Sequence, residues 1–134
     1  MLRKLFGKKK NQNNTPEESV QEQTFRLETA FNDYTNEEIS AQLLEEIINS
    51  DFDTWDFMVL EPTKPIKGSV FMQIGSPGDT DSPFCLEISF GSKMYHLSAK
   101  KDVVLQYLIA YYQEQTVPDI SSWEDISNFI SSPN

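Results

Sequence analysis

The strongest constraint on the fold is a run of residues whose hydrophobic character has a period of two. In FCLEISF (84–90) every second residue is apolar, and the residues between them include Cys85 and Glu87. Side chains of a β-strand point alternately to its two faces, so this segment predicts a strand with one buried and one polar face. Gly91–Ser92 predict a turn, and KMYHLSA (93–99) predicts the returning strand of a hairpin.

Two earlier segments predict neighbouring strands. WDFMVL (55–60) is followed closely by prolines, and GSVFMQI (68–74) alternates in the same way as the hairpin. The segment GSPGDTDSP (75–83) consists almost entirely of turn-forming residues and predicts a loop. Short connections of this kind favour antiparallel pairing. The apolar residues of TFRLETAF (24–31) are consistent with a further short strand.

Two segments show helical spacing. Thr35 and Glu38 have the pattern of a capping box, and an apolar stripe then runs over 36–49. A second stripe runs over 101–114. We therefore predict an α+β fold, a curved antiparallel sheet of about four strands with two helices packed on it, in the order (β)αββββα plus a short C-terminal element. The helices are expected to pack through Leu43, Ile47, Val104 and Leu108.

The closing segment PDISSWEDIS (118–127) allows two interpretations. Ser122 and Asp125 fit the N-cap and first turn of a short helix, which would half-bury Trp123 against the sheet. Alternatively, Trp123 and the carboxylates of Glu124 and Asp125 form an exposed patch that binds a partner. The sequence leaves both interpretations open.

Charge divides the chain into two parts. The net charge is −10, yet residues 1–10 contain five of the eleven Lys and Arg and no acid, whereas residues 11–134 contain six bases and all 21 acids, a net charge of −15. We interpret residues 1–22 as a disordered tail, basic and then polar, and residues 23–134 as a single α+β domain. Contact of the tail with a membrane surface stays open as a second interpretation, and the candidate contacts are Leu2, Arg3, Lys4, Leu5 and Phe6.

Charge and hydropathy also restrict the partners. An acidic domain repels nucleic acid and attracts basic protein surfaces. No apolar run approaches the roughly 20 residues of a membrane helix. The opening MLRKLFGKKK is not followed by the apolar stretch of a secretory signal, so we expect a cytoplasmic protein.

The inventory of reactive residues is small. Cys85 and His96 are the single cysteine and the single histidine, so we expect no disulfide framework, and a lone histidine does not make a zinc site. A Cys85–His96 dyad is conceivable because the two predicted strands pair. Asp79 and Asp81 lack the further ligands of a calcium loop. We therefore expect no enzyme activity, no metal and no cofactor, while hydrolysis by other acids stays an alternative.

The order of the elements resembles a known family. FMQIGSP, LEISF, MYHL, VVLQYLIAYY and PDISSWEDI, within about 55–127, resemble small bacterial immunity proteins of polymorphic toxin systems, the Imm1-like group with its terminal W-E-D segment. The resemblance implies a cytosolic protein that binds a cognate toxin domain and neutralises it by occluding the active site.

An acidic surface suits a basic toxin cleft. The candidate partner contacts are Asp51, Asp53, Asp56, Asp79, Asp81, Trp123, Glu124 and Asp125. The alternative function is a peripheral membrane-associated adaptor or protein-binding module that uses the basic N-terminal segment.

Overall fold

The structure, a computed structural model, describes residues 22–130, and for the last two of these it describes the backbone alone. Of the predicted tail, Glu22 is the one residue within this range, and it is exposed. The membrane contacts predicted for residues 2–6 lie outside the described residues, as does the end of the predicted domain, residues 131–134.

Within residues 22–130, seven antiparallel strands form one sheet. They are β1 (Phe25–Thr29), β2 (Asp33–Tyr34), β3 (Phe57–Pro62), β4 (Phe71–Gly75), β5 (Phe84–Ser89), β6 (Met94–Ala99) and β7 (Glu124–Asp125). Their spatial order is β2-β1-β3-β4-β5-β6-β7, and every neighbouring pair is antiparallel. The predicted α+β class is confirmed, but the predicted sheet of about four strands is too small.

Three strands lie outside the predicted group of four. β1 corresponds to the short strand predicted within 24–31, but its paired residues on β3 are 29 to 37 positions away, so no local pattern reports the pairing. β2 and β7 contain two residues each, which is too short to show a period. Both form edges of the sheet, where short strands with acidic side chains oppose pairing with another chain.

The helices within the described range are α1 (Ala41–Asn49), α2 (Lys101–Ile109) and α3 (Ser127–Ile130). α2 continues through Ala110–Glu114 with π-type hydrogen bonding, so the helix predicted over 101–114 is present along its length. Among residues 22–130, no helix has both the length and the apolar character needed to cross a membrane.

The helix predicted over 36–49 is divided in two. Thr35 N donates to Glu38 Oε1 at 2.8 Å, as a capping box requires, but the helix that follows is a single 3-10 turn, Asn36–Glu38. The chain is extended at Ile39 and Ser40, and Ser40 Oγ then accepts a hydrogen bond from Leu43 N at 3.0 Å as the N-cap of α1. A second capping residue therefore starts the α-helix five residues later than predicted.

One face of the sheet holds the hydrophobic core. Residues paired directly across antiparallel strands lie on the same face, and one such row is Leu27, Leu60, Met72 and Ile88. All four side chains are fully buried and belong to one cluster with residues of α1 and α2. Three of the predicted helix contacts, Ile47, Val104 and Leu108, are buried in it, and Leu43 packs against it while partly exposed.

The C-terminal segment folds differently from the predicted helix. Ser122 does not cap a helix: Trp123 N donates to Ile120 O in a turn, Glu124 and Asp125 form β7, and α3 begins only at Ser127. Trp123 is 7% exposed and packs edge-on against Tyr107 of α2, with ring centroids 5.6 Å apart. The interpretation of Trp123 as an exposed aromatic patch is therefore wrong, because the indole is part of the core.

The second face of the sheet carries a different row of paired residues. The row runs from β1 to β7 and consists of Glu28, Val59, Gln73, Glu87, His96 and Glu124. None of these described side chains belongs to the hydrophobic core. Gly91, with φ of +90°, adopts at the β5–β6 turn a conformation that residues with a side chain rarely take. The hairpin that it closes sets Glu87 directly opposite His96.

Candidate functional site

Five of the predicted acidic contacts come together at one end of the sheet. The segment 51–56, between α1 and β3, and the loop 76–83, between β4 and β5, meet there. Asp51 and Thr80 line one recess with Lys101, and Asp81 lines an adjoining recess with Phe52. We call Asp51, Asp53, Asp56, Asp79 and Asp81 the acidic end; all five residues are exposed.

Aromatic packing positions the first segment of the acidic end. Phe52 lies in a 3-10 turn, Phe52–Thr54, and packs edge-on against Phe84 of β5 with ring centroids 5.6 Å apart. Trp55 follows the turn, is 2% exposed and stacks on the same Phe84 ring. Because Trp55 is buried in the core and Phe52 packs against it, the turn leaves Asp51 and Asp53 at the surface.

Backbone hydrogen bonds position the remaining acids. Ser76 N donates to Asp56 O at 2.9 Å, which joins the start of β3 to the β4–β5 loop. Asp79 Oδ1 accepts from Asp81 N at 2.9 Å and from Ser82 N at 3.0 Å. The Asp79 carboxylate therefore shapes its own loop, while its negative charge stays at the surface.

Two lysines at this end were not among the predicted site residues. Lys100 and Lys101 stand at the start of α2 and line the same recesses as Asp51 and Asp81. Lys101 Nζ donates to Asn49 Oδ1 at 2.8 Å, which links α2 to the end of α1. A basic pair within an otherwise acidic domain is the sequence signal that could have identified them. The surface around the acidic end is thus negative on balance but contains both signs of charge.

Glu124 and Asp125 are not part of the acidic end. They pair with His96 and Tyr95 in the middle of the sheet edge. Lys100 directly follows β6 and is four residues from His96, which corresponds to about 13 Å in an extended chain. Hydrogen bonds from Ser127 lower the pKa of the exposed Asp125 carboxyl below its ordinary value, so this side chain also has a local structural role.

A separate cluster of reactive side chains lies on the second face. Cys85 Sγ is 3.4 Å from His96 Nδ1 and 3.7 Å from Glu87 Oε2, and the distance between His96 Nδ1 and Glu87 Oε2 is 3.3 Å. We call these three residues the second-face cluster. The structure thus brings together the Cys85–His96 pair considered from the sequence, and adds Glu87, which the alternation of 84–90 places on the same face as Cys85.

The surroundings of Cys85 oppose its ionisation. Burial, followed by the negative charge of Glu87 and its hydrogen bond, raises the pKa of the Cys85 thiol to about 11. An activated cysteine nucleophile needs a lowered pKa, which a cationic neighbour usually provides. The second-face cluster by itself therefore does not favour a reactive Cys85 thiolate at neutral pH.

This pKa predicts slow alkylation of Cys85. A rise from 9.0 to about 11 reduces the thiolate fraction at pH 8 about 100-fold, so iodoacetamide should react about 100-fold more slowly than with an unperturbed thiol. Mass spectrometry in a buffer with a chelator would measure the rate, which should increase about tenfold per pH unit up to about pH 10 and level off above the pKa. Glu87→Gln should accelerate the reaction, whereas Glu61→Gln on the same face should not. A rate at pH 8 equal to that of a peptide thiol would contradict the prediction.

Comparison of the chain with protein-family models, with curated proteins and with solved structures returned no match.

Proposed function

We propose that this protein binds a basic toxin domain and neutralises it by covering the active site with the acidic end. The observation that carries the proposal is the convergence of Asp51, Asp53 and Asp56 with Asp79 and Asp81, which are separated in the sequence by two strands. All five carboxylates are exposed, so they are available to a partner.

Electrostatics explains how such a surface would act. Residues 11–134 have a net charge of −15, which attracts a basic partner over a long range and increases the association rate. Toxins that act on nucleic acids or nucleotides need basic clefts, and a surface of carboxylates can occupy such a cleft in place of the substrate. The same negative charge repels nucleic acid, so nucleic acid would not compete with the toxin for this surface.

The scaffold suits binding without catalysis. The segment 51–56 is attached to the core through Phe52 and Trp55, and the loop 76–83 is organised by the hydrogen bonds of Asp79. A preformed surface loses less conformational entropy on binding than a flexible one. The resemblance of residues 55–127 to immunity proteins is the reason for choosing a toxin as the basic partner.

Co-expression with a candidate toxin domain, chosen from any toxin gene found beside this gene, would test the proposal. We expect protection of the cells and a complex between the two purified proteins. The triple variant Asp51→Asn, Asp53→Asn, Asp81→Asn keeps Asp79 and its loop hydrogen bonds. Its association rate at low salt should be at least about tenfold lower, because steering of this kind contributes about 10- to 1000-fold. The wild-type rate should itself decrease as salt is raised.

A charge-matched variant separates a local surface from bulk charge. Glu45→Gln, Glu46→Gln, Glu114→Gln also removes three exposed carboxylates, but from the helical side of the domain. This variant should retain protection and most of the association rate. Equal losses in both triple variants would refute the acidic end as the contact surface. A selective loss in Glu124→Gln, Asp125→Asn would place the contact at β7 instead, and the absence of any complex would overturn the function itself.

A further inference from the structure

The three ligand atoms of the second-face cluster have the spacing of a metal site. Their separations are 3.4 Å (Cys85 Sγ to His96 Nδ1), 3.7 Å (Cys85 Sγ to Glu87 Oε2) and 3.3 Å (His96 Nδ1 to Glu87 Oε2). A tetrahedral Zn²⁺ ion with ordinary bonds to sulfur, nitrogen and oxygen separates such ligand atoms by about 3.3–3.6 Å. The three atoms could therefore coordinate one ion with shifts of a few tenths of an ångström.

Hydrogen bonding alone satisfies this triangle poorly. With Glu87 ionised, two protons at most can lie between the three atoms, one from the Cys85 thiol and one from His96 Nδ1. The third contact then brings together two atoms with no proton between them. A cation at the centre would satisfy the sulfur, the nitrogen and the oxygen at the same time.

Neighbouring side chains orient two of the ligands. His96 Nε2 lies 3.1 Å from Ser98 Oγ, so Nε2–H can donate to the hydroxyl and leave the Nδ1 lone pair directed at the cluster. Gln73 Nε2 donates to Glu87 Oε1 at 3.2 Å, which leaves Oε2 for the cation. Outer hydrogen bonds of this kind fix the tautomer of a ligating histidine and the direction of a ligating carboxylate.

The backbone holds the ligands in place. Glu87 and His96 are directly opposite each other on β5 and β6, and Cys85 is two residues from Glu87 on the same face. The Glu87 and His96 side chains are each 19% exposed, so an ion can reach them from solvent. A sheet scaffold with partly buried ligands suits a preformed site.

From this geometry we propose that Cys85, Glu87 and His96 bind one divalent cation of the zinc class on the second face of the sheet. Sulfur and imidazole ligands select Zn²⁺ and Co²⁺ over Mg²⁺ and Ca²⁺, which prefer oxygen alone. Binding replaces the thiol proton of Cys85, which leaves to solvent, and a water molecule takes the fourth position. The site departs from our expectation of no metal, and it does not depend on the proposed toxin binding.

Titration of the full-length protein with Co²⁺ would test the site directly. We expect one ion per chain, strong visible absorption of a tetrahedral ion and a near-ultraviolet thiolate-to-cobalt band. Zn²⁺ should displace the Co²⁺ and abolish both signals. It should also raise the melting temperature, because an ion that binds the folded state alone stabilises it.

Single substitutions assign the ligands. Cys85→Ser should abolish the thiolate band. Both Cys85→Ser and His96→Gln should weaken Zn²⁺ binding by more than about 100-fold, because loss of a ligand should cost more than loss of a residue that hydrogen-bonds to a ligand, which costs up to about 100-fold. Ser98→Ala should weaken it by about tenfold or more. Glu61→Gln removes an exposed carboxylate from the same face outside the cluster and should leave affinity unchanged.

Three outcomes would overturn the proposal. The first is no saturable binding of Co²⁺ or Zn²⁺ by the folded wild-type protein. The second is an octahedral spectrum without the thiolate band, which would show that exposed carboxylates hold the ion. The third is unchanged affinity in folded Cys85→Ser and His96→Gln proteins. If a variant fails to fold, the spectrum of the wild-type protein still decides whether sulfur is a ligand.

Discussion

Replacement of Trp123 by Ala is expected to lower the free energy of unfolding by about 3–5 kcal/mol, the usual cost of removing a buried Trp. The indole is 7% exposed, belongs to the core cluster and packs edge-on against Tyr107. Its loss would remove apolar area from the core and leave a cavity between the C-terminal segment and α2. Chemical denaturation followed by circular dichroism would measure the change.

Substitution of the neighbouring acids provides the comparison for Trp123. Glu124→Gln, Asp125→Asn changes two exposed side chains of the same segment, and the amide oxygen introduced at position 125 can still accept the hydrogen bond from Ser127 N. Surface changes that keep such contacts usually alter stability by no more than about 0.5 kcal/mol each. A small effect of Trp123→Ala, below about 1 kcal/mol, would mean that the indole is not packed as described. Any loss of the proposed partner binding in Trp123→Ala should accompany unfolding and would not identify a contact.

Leu108→Ala should destabilise the protein by about 2–5 kcal/mol. Leu108 is fully buried on α2 and belongs to the cluster formed with the inner sheet face. Alanine keeps the helix propensity high, so the loss would report packing and the cavity left behind rather than a change in helix formation. Urea denaturation would measure this loss as a lower unfolding midpoint, with an unchanged dependence of the free energy of unfolding on urea concentration.

Leu105→Ala is the matched control, because it makes the same change in the same helix. Leu105 is partly buried at the margin of the core, so a loss clearly smaller than that of Leu108→Ala is expected. Equal losses at the two positions, or a loss below about 0.5 kcal/mol for Leu108→Ala, would show that α2 presents a different face to the sheet.

Local patterns were sufficient for the central part of the fold. The alternation of residues 84–99 predicted β5 and β6 and their hairpin, because the two faces of a strand differ in environment at every residue. The stripe of residues 101–114 predicted α2 for the same kind of reason, with a period close to 3.6. These predictions depend on residues that are close in the sequence, and the tertiary contacts of the fold favour the same strands and helix.

Competition between local signals caused the main errors of detail. Thr35 and Ser40 are both good N-caps, and the sequence does not show which one starts the α-helix. The structure begins the helix after Ser40, with Ile39 buried between the two caps. In the C-terminal segment, Ser122 and Asp125 have the pattern of a helix start. In the structure, however, Glu124 and Asp125 pair with the open edge of β6 as a strand.

The sequence by itself determined the α+β class, the acidic charge and the residue types available for chemistry. Tertiary structure decided which of these residues meet. The acidic end requires 51–56 to approach 76–83, and the second-face cluster requires the register that sets Glu87 opposite His96. A register shift of one residue would move His96 to the core face. Since register and loop approach arise from contacts between distant segments, no local pattern contains them.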